Sequence, residues 1–376
     1  MLKIMNEIST NLDPLMTKHL VGAGLFAADP IVIVDVGARW GFNAEWKVFG
    51  AALQVYCFEP DEEECKRLNA ASRSNVKYIP AALGIREEQA TLYESKLVAS
   101  TGLYKTNMEF FSRMLNRDNA EVVKEHKIQV TTLDAALARF GVKKIDFIKL
   151  DVEGAELDVL MGSERLIGDS GLLGILSEIR FQEEINSSPV FWQLDEYVRK
   201  FGFRLFNMRF THQSRRALPY PGLADYRMPD GTKFYAYTTH GQIMDGDALY
   251  FRDLLIPANS GIALSATLEQ ILKAAALFEI YCLNDCAAEL IIKNRDRLKH
   301  LVDCDLLLDL LTAPMRRQRM GHRAYLDAYF GPGPTIVDDD RLTLREPGPV
   351  GTSFKTLAKR FLPWRVQGVL RRLLRR

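Results

Sequence analysis

The sequence has few of the features that mark secreted or membrane-spanning proteins. Its 376 residues contain only five cysteines, and no two of them form a Cys-X-X-Cys pair. This usage favours reduced thiols in the cytoplasm over a disulfide framework. No apolar run reaches the roughly 18 residues of a membrane span, and residues 1–20 carry charges where a secretory signal would be apolar. We therefore expect a cytoplasmic protein.

The sequence also lacks an excess of either charge. It has 49 basic and 48 acidic residues and a formal net charge of +1, which is not typical of a nucleic-acid-binding protein. Its length and its 47% hydrophobic content suffice instead for one large domain with an accessory region.

Short apolar runs alternate with helix-length segments across residues 30–257. The runs are IVIVDVG, LQVYCFEP, VKYIPAAL, IDFIKLDV, LLGILSEIRF, FRLFNMRF and ALYFRD. This alternation is typical of a parallel sheet that helices cover on both faces. We predict an α/β, doubly wound, Rossmann-like domain here, preceded by a helical lead-in at 1–29. The last two runs are expected to close the sheet as an antiparallel pair.

Residues 258–330 have a helical pattern instead. Thr267 and Gln270 have the spacing of a capping box that opens a long helix, and a leucine-rich helical segment follows at 301–312. We expect a small all-helical accessory region. Proline, glycine and aspartate then dominate 331–351, which predicts a linker.

The stretch IVIVDVGARWG indicates a ligand-binding turn. Ile31 to Val34 predict a buried strand that leads to Asp35, and ligands in such sheets bind at the carboxyl ends of strands. Gly37 and Gly41 bracket a tight turn into a helix, where the backbone can approach a ligand closely. The dinucleotide fingerprint needs glycines at 35, 37 and 40, so NAD is disfavoured. An acid at position 35 favours a ligand with positive charge, such as S-adenosylmethionine.

Glu59 closes the second predicted strand. At this position an acidic side chain can accept hydrogen bonds from both ribose hydroxyls of a nucleoside. Its distance from Gly37 along the chain fits one helix and a turn. The alternative is that Glu59 only begins the acidic helix that follows, where the helix dipole favours acids.

These motifs resemble FkbM-type methyltransferases, which have the class I S-adenosylmethionine-dependent fold. The resemblance rests on VDVGARWG, on FEP, on TTLDAAL and most specifically on IDFIKLDVEGAELDVLMGSERL at 145–166. It implies O-methyl transfer to a sugar, a glycoconjugate or a small natural product, with S-adenosylmethionine as the cofactor. The sequence departs from the family pattern at Arg39 and Trp40. The cofactor-binding residues expected in the turn and beyond it are Asp35, Gly37, Ala38, Gly41 and Glu59.

Asp151 ends the apolar run 145–150, at the edge of the sheet that would face the transferable methyl group. Methyl transfer to a hydroxyl needs in-line alignment and removal of the hydroxyl proton. We therefore predict that Asp151 is the general base or orients the substrate, and that Glu178 and His212 are further catalytic candidates. Asp151 and Glu178 could share a metal ion, but we assign none. Lys149 is expected on the strand face opposite Asp151, paired with an acid across the sheet.

Other residues near these motifs have less specific roles. Ala82 and Leu83 follow the third run and are candidates for the wall around the adenine. Glu153 and Glu156 stand at a predicted helix start, where acids satisfy the helix dipole.

An alternative function is a catalytically inactive, methyltransferase-like scaffold. In that case the large Trp40 side chain blocks the cofactor, and the helical region recruits a partner. Because five residues of the expected site are all present, we favour the enzyme: Asp35, Gly37, Gly41, Glu59 and Asp151.

The C-terminal segment 353–376 carries basic residues and no acidic one, and its apolar residues recur at helical spacing. Such a basic amphipathic segment suits an anionic membrane surface, here the inner face of the membrane. The alternative is that it packs on an acidic face of the same chain. Nucleic acid is disfavoured because no pattern of stacking aromatic residues accompanies the charge. The remaining expected partner is a small-molecule or glycan acceptor.

Overall fold

A computed structural model describes residues 8–169, 171–222, 225–227, 233–235, 237–256, 259, 261, 265–312 and 321–330. The strands are β1 (Ile31–Val36), β2 (Leu53–Glu59), β3 (Val76–Pro80), β4 (Ala82–Leu83), β5 (Glu88–Ser95), β6 (Val122–Thr131), β7 (Phe147–Leu150), β8 (Gly174–Arg180), β9 (Phe203–Gln213), β10 (Asp225–Arg227), β11 (Lys233–Tyr235) and β12 (Gln242–Arg252). The α-helices are α1 (Leu15–Gly22), α2 (Glu62–Ala71), α3 (Met108–Phe111), α4 (Leu133–Ala138), α5 (Glu156–Met161), α6 (Glu164–Gly168), α7 (Phe191–Arg199), α8 (Leu268–Ile280), α9 (Asn284–Lys293), α10 (Arg295–Leu298), α11 (Cys304–Thr312) and α12 (His322–Phe330).

The central sheet has seven strands in the order β3-β2-β1-β7-β8-β12-β9. Strands β1, β2, β3, β7 and β8 pair in parallel, whereas β12 runs antiparallel to both of its neighbours. This confirms the doubly wound sheet and the antiparallel closing pair. The sequence did not predict the smaller sheet β4-β6-β5, because the third apolar run continues from β3 into β4 without a polar break.

Strand β1 lies at the switch point of the sheet. The chain proceeds from β1 to β2 and β3 on one side and later adds β7 and β8 on the other. Ligands of open α/β sheets bind in the crevice that forms at such a point. Val36 pairs with Leu150, so Gly37 and Asp151 are the first residues beyond the carboxyl ends of β1 and β7. Both residues therefore stand at the crevice.

Helices cover both faces of the sheet. On one face, residues of α4 to α7 share a core with Val34, Ile148 and Ile175. On the other face, residues of α1, α8, α9 and α11 share a core with Ile33 and Val55. The helices at 268–312 therefore take part in the core of the sheet domain.

Helix α8 begins as its sequence predicts. The hydroxyl of Thr267 accepts a hydrogen bond from the backbone N–H of Gln270 at 3.1 Å, and the Gln270 side chain accepts one from the backbone N–H of Thr267 at 2.9 Å. This reciprocal pair confirms the capping box.

A buried lysine fastens α8 to the sheet. The side chain of Lys273 is fully buried, and its Nζ lies 3.0 Å from Asp146 Oδ2 and 3.1 Å from Asp29 Oδ2. It also donates to the carbonyl oxygen of Pro30 at 2.9 Å. Because the partners precede β1 and β7, the contact holds α8 at the amino-terminal edge of the sheet, away from the crevice.

The linker predicted at 331–351 and the basic segment at 353–376 lie outside the described residues. Within the described part of the chain, no helix is both long enough and apolar enough to span a membrane.

Candidate active site

The glycine turn is held directly against the end of β7. Gly37 has a φ of +86° and Gly41 a φ of +96°, in the left-handed region that favours glycine. A Cβ at position 37 would overlap the backbone carbonyl of Asp151. The amides of Gly37 and Ala38 donate to the carbonyl oxygen of Phe58 at 2.9 and 3.2 Å. The turn therefore joins the ends of β1, β2 and β7 at the crevice.

Asp35 is buried behind this turn, with 1% of its surface exposed. Neither of its carboxylate oxygens accepts a hydrogen bond within the described residues, although Lys149 Nζ lies 3.4 Å from Oδ1. Burial raises the pKa of Asp35, and Lys149 opposes that shift. Asp35 is thus a buried acid with spare acceptor capacity, as a ligand with positive charge would require.

Lys149 also contacts Asp151, so the expectation that the two face opposite sides of the sheet is wrong. Its Nζ donates to Asp151 Oδ2 at 3.1 Å. Residues two apart on a strand point to the same face, because the side-chain period is two. The expected pairing across the sheet is confirmed by the contact with Asp35. Burial opposes the charge of Lys149, but Asp151 and Asp35 together raise its pKa.

Glu59 ends β2 on the other side of the turn. Its Oε1 accepts from the backbone N–H of Asp61 at 3.0 Å and from Arg39 Nη1 at 3.4 Å. No hydrogen bond reaches its Oε2 from the residues that the structure describes. Burial raises the pKa of Glu59, while the Asp61 amide and Arg39 lower it. One carboxylate oxygen of Glu59 is therefore available to ribose hydroxyls.

Arg39 and Trp40, where the sequence departs from the family pattern, lie on the outer side of the turn. Arg39 Nη2 lies 2.9 Å from Asp61 Oδ2, and its guanidinium carbon lies 5.7 Å from the centre of the Trp40 ring. Trp40 is 62% exposed. Because this indole extends into solvent, it leaves the interior of the turn unfilled. Its position weighs against a scaffold in which Trp40 blocks the cofactor.

The two adenine-wall candidates lie in β4, next to β6. Ala82 and Leu83 are both buried, and Leu83 packs in the core that also contains Leu133 and Leu137.

Three acids meet where β7 and β8 end. The carboxylates of Asp151, Glu153 and Glu178 each offer an oxygen within 4.8 Å of the others. Glu153 has a φ of +56°, an uncommon conformation for a residue with a side chain, and such strain is often found at functional sites. The structure therefore brings Asp151 and Glu178 together, as neighbouring strand ends would predict, and adds Glu153.

Arg180 links these acids. Its Nη2 lies 2.8 Å from Glu153 Oε2 and 2.7 Å from Glu178 Oε2, while Nη1 lies 3.4 Å from Glu184 Oε1. Burial raises the pKa of Glu153 to about 8 and that of Glu184 to about 7, and Arg180 opposes both shifts. Burial also raises the pKa of Glu178 well above its usual value. Protons therefore stay in this cluster at neutral pH.

A divalent cation prefers such carboxylate oxygens. In this structure the Arg180 guanidinium already contacts two of the three acids, Glu153 and Glu178. The assignment without a metal stays a prediction.

The charged cluster extends across β12 and β9. In the sheet register Asp247 pairs with Glu178 on one side and with Arg209 on the other. Arg209 Nη1 lies 2.9 Å from Asp247 Oδ2. Burial raises the pKa of Asp247 to about 6. Sequence reasoning missed Asp247, Arg209 and Arg180, and it gave Glu153 only a role at the start of a helix. Asp247 and Arg209 lie in strands from distant segments, and only the register aligns them with Glu178.

His212 lies farther along β9. Its ring contacts Phe210, with the ring centres 5.5 Å apart, and its backbone pairs with Ile243 of β12. No contact between His212 and Asp151 or Glu178 occurs within the described residues. The structure thus brings together two of the three catalytic candidates.

Comparison with known proteins agrees with the site. The sequence profile of the methyltransferase FkbM domain matches residues 35–205. No curated protein shows significant similarity to the chain.

Several solved structures are similar to parts of the fold. A SAM-dependent methyltransferase from Agrobacterium tumefaciens is 10% identical, with a TM-score of 0.28, over 64% of this chain and 62% of that one. One from Aquifex aeolicus is 14% identical, with a TM-score of 0.25, over 64% of this chain and 94% of that one. The 1,6-didemethyltoxoflavin-N1-methyltransferase from Burkholderia thailandensis, with bound S-adenosylhomocysteine, is 10% identical, with a TM-score of 0.25, over 64% of this chain and 80% of that one.

The residues at the switch point fit S-adenosylmethionine. A carboxylate with an available oxygen ends β2 at Glu59, where ribose hydroxyls bind in such folds. Asp35, a buried acid whose carboxylate accepts no hydrogen bond within the described residues, lies behind the turn. The turn itself has room only for glycine at position 37. Residues 35–205, which contain these site residues, therefore match the methyltransferase FkbM domain.

Proposed function

We propose that the protein transfers a methyl group to a hydroxyl of a sugar, a glycoconjugate or a small natural product. The observation that carries this proposal is the contact between Gly37 and Asp151 at the switch point. It sets the cofactor turn beside a carboxylate that is 47% exposed, so an acceptor can reach the carboxylate from solvent.

Bound S-adenosylmethionine supplies the methyl group. In this proposal Asp151 orients the acceptor hydroxyl in line with the methyl carbon and accepts its proton as the new carbon–oxygen bond forms and the carbon–sulfur bond breaks. Lys149 holds Asp151 through Oδ2, and within the described residues no hydrogen bond uses Oδ1. That oxygen is the one offered to the acceptor.

The cluster around Arg180 positions the acceptor. Glu178 lies beside Asp151 and is held by Arg180, so it can accept or donate hydrogen bonds to a second hydroxyl according to its protonation. A sugar, with several hydroxyls on neighbouring carbons, suits such a row of carboxyl groups. His212 remains a candidate base for an acceptor that extends along β9.

Calorimetry with S-adenosylmethionine tests the cofactor site. Saturable binding is expected, and Glu59→Ala should weaken it tenfold or more, or about 1.4 kcal/mol. Glu63→Ala is the matched control, because Glu63 is 84% exposed on the next helix and should bind as the wild type does. No binding by the folded wild type would favour the scaffold instead.

Turnover tests the chemistry. A panel of glycans and hydroxylated natural products is incubated with labelled S-adenosylmethionine, and the methylated atom is identified by mass spectrometry and NMR. Asp151→Asn should lower kcat by 100-fold or more, since general-base catalysis commonly contributes about 10² to 10⁴, while cofactor binding persists. Methylation at nitrogen or carbon would contradict the proposal.

A further inference from the structure

Two arginines lie against one aromatic ring beyond the end of β9. The guanidinium carbon of Arg113 lies 5.3 Å from the centre of the Phe110 ring, and that of Arg215 lies 5.6 Å from the same centre. The backbone fixes this arrangement. Met114 forms a β-bridge with Arg215, and the carbonyl oxygen of Arg113 accepts from the N–H of Arg216 at 3.0 Å.

Only some of the hydrogen-bond donors of Arg215 have a partner among the described residues. Its Nη2 donates to Gln242 Oε1, but its Nη1 is buried and has no hydrogen-bond partner among the described residues. Burial lowers the pKa of Arg215, and the neighbouring charge of Arg113 lowers it further. A buried donor without an acceptor destabilises the folded protein, because it has lost its hydrogen bonds to water.

Among the described residues, the two arginines also lack an acidic partner. Throughout the described residues, no carboxylate lies within ion-pair distance of Arg113, Arg215 or Arg216. Arg180 and Arg209 differ from these arginines, because each of them contacts an acid. An anion would satisfy Nη1 of Arg215 and relieve the repulsion between Arg113 and Arg215.

We propose that Arg113 and Arg215 form a binding site for a phosphate group. A guanidinium offers planar, paired donors that match the oxygens of a phosphate. Phe110 contacts both guanidinium groups and so fixes their positions relative to each other. Arg216, whose Nη1 donates to the carbonyl oxygen of Ser112 at 3.4 Å, adds positive charge beside the site.

The site is separate from the methyl-transfer centre. Arg215 follows Arg209 by about six residues, or about 20 Å in an extended strand. A phosphate bound here would therefore belong either to the distal end of an extended acceptor or to free inorganic phosphate. The phosphate site goes beyond the proposed function, because it does not require Asp151 or a bound cofactor.

Calorimetry of the full chain at low ionic strength tests the site with two probes, inorganic phosphate and glucose 1-phosphate. Saturable binding of at least one probe is expected, and Arg113→Gln and Arg215→Gln should each weaken it tenfold or more. Arg113 is exposed, so its substitution does not put folding at risk. Arg73→Gln, which removes an exposed charge from the loop between α2 and β3, should bind as the wild type does.

The two probes distinguish the sources of phosphate. Tighter binding of glucose 1-phosphate supports a phosphate that belongs to a larger molecule, and equal or tighter binding of inorganic phosphate supports the free ion. Absence of saturable binding with both probes would overturn the proposal. Equal binding by the wild type and the Arg113→Gln variant would also overturn it. Neither result would alter the S-adenosylmethionine titration, which tests the proposed function independently.

Discussion

Gly37 faces the backbone carbonyl of Asp151 so closely that no side chain fits between them. A Cβ at this position would force the end of β7 away from the turn, and the left-handed backbone adds about 1–2 kcal/mol of strain for a residue other than glycine. We predict that Gly37→Ala weakens S-adenosylmethionine binding at least tenfold, as measured by calorimetry.

Gly24 supplies the control for backbone strain alone. It has a φ of +75°, and a Cβ there would meet nothing within 4 Å. Gly24→Ala should therefore introduce a similar backbone strain, which lowers the free energy of unfolding, and should leave cofactor affinity unchanged. If both variants lost affinity equally, the close approach to Asp151 would not be what matters.

Arg180 is the shared cation of the acidic cluster, with 7% of its side chain exposed. We predict that Arg180→Met lowers the free energy of unfolding by about 3–5 kcal/mol, the usual effect of removing one partner of a buried ion pair. Urea denaturation followed by circular dichroism measures this change.

Arg199→Met is the surface counterpart. Arg199 pairs with Asp195, but 46% of its side chain is exposed, and exposed pairs contribute about 0–1 kcal/mol. A loss of similar size in both variants would show that burial at Arg180 has no special energetic role.

The sequence predicted the sheet better than the site. The strands could be recognised because long apolar runs mark buried parallel strands. Gly37, Glu59 and Asp151 could be named as site candidates because each stands at the end of such a run, where ligands bind. Their mutual distances followed only from the strand order.

The residues that surround Asp151 required three-dimensional information. Arg180 lies inside an apolar run and has no motif of its own, and Asp247 reaches Glu178 only through the register of β12. Lys273 is in the middle of an apolar helix, and its partner Asp146 is distant in sequence. Long-range ion pairs of this kind have no local signal in the chain.

Raised pKa values make the stability of the protein depend on pH. Glu153 has a pKa of about 8 and Glu184 of about 7 in the folded protein, whereas both lose their protons near their ordinary pKa when unfolded. Between these values the folded state binds more protons. The stabilisation is complete below the unfolded pKa and falls as pH rises toward 8, by up to about 1.4 kcal/mol per pH unit for each proton.

Denaturation midpoints in urea at several values between pH 5 and pH 8 measure this decline. Glu153→Gln should flatten it, because the amide cannot lose a proton. Glu63→Gln, at an exposed position, should follow the wild-type curve. Stability that stays constant or increases over this range would contradict the buried, protonated cluster.

The basic segment at 353–376 leads to a prediction about membranes. We propose that it binds an anionic bilayer surface, where each Lys or Arg contributes about 1 kcal/mol. The full chain should then sediment with vesicles of phosphatidylglycerol and phosphatidylcholine and not with vesicles of phosphatidylcholine alone. A chain that ends at residue 352 should stay in the supernatant.

Salt and stability separate this proposal from packing on the chain's own acidic surface. Membrane binding through basic residues should weaken steeply as salt rises, because the screening length shortens to about 3 Å at 1 M. If the segment instead packs on the folded domain, its removal should lower the urea midpoint and leave vesicle binding unaffected. A shorter chain that binds vesicles as the full chain does would therefore assign the contact to the folded domain, because residues 353–376 are then dispensable.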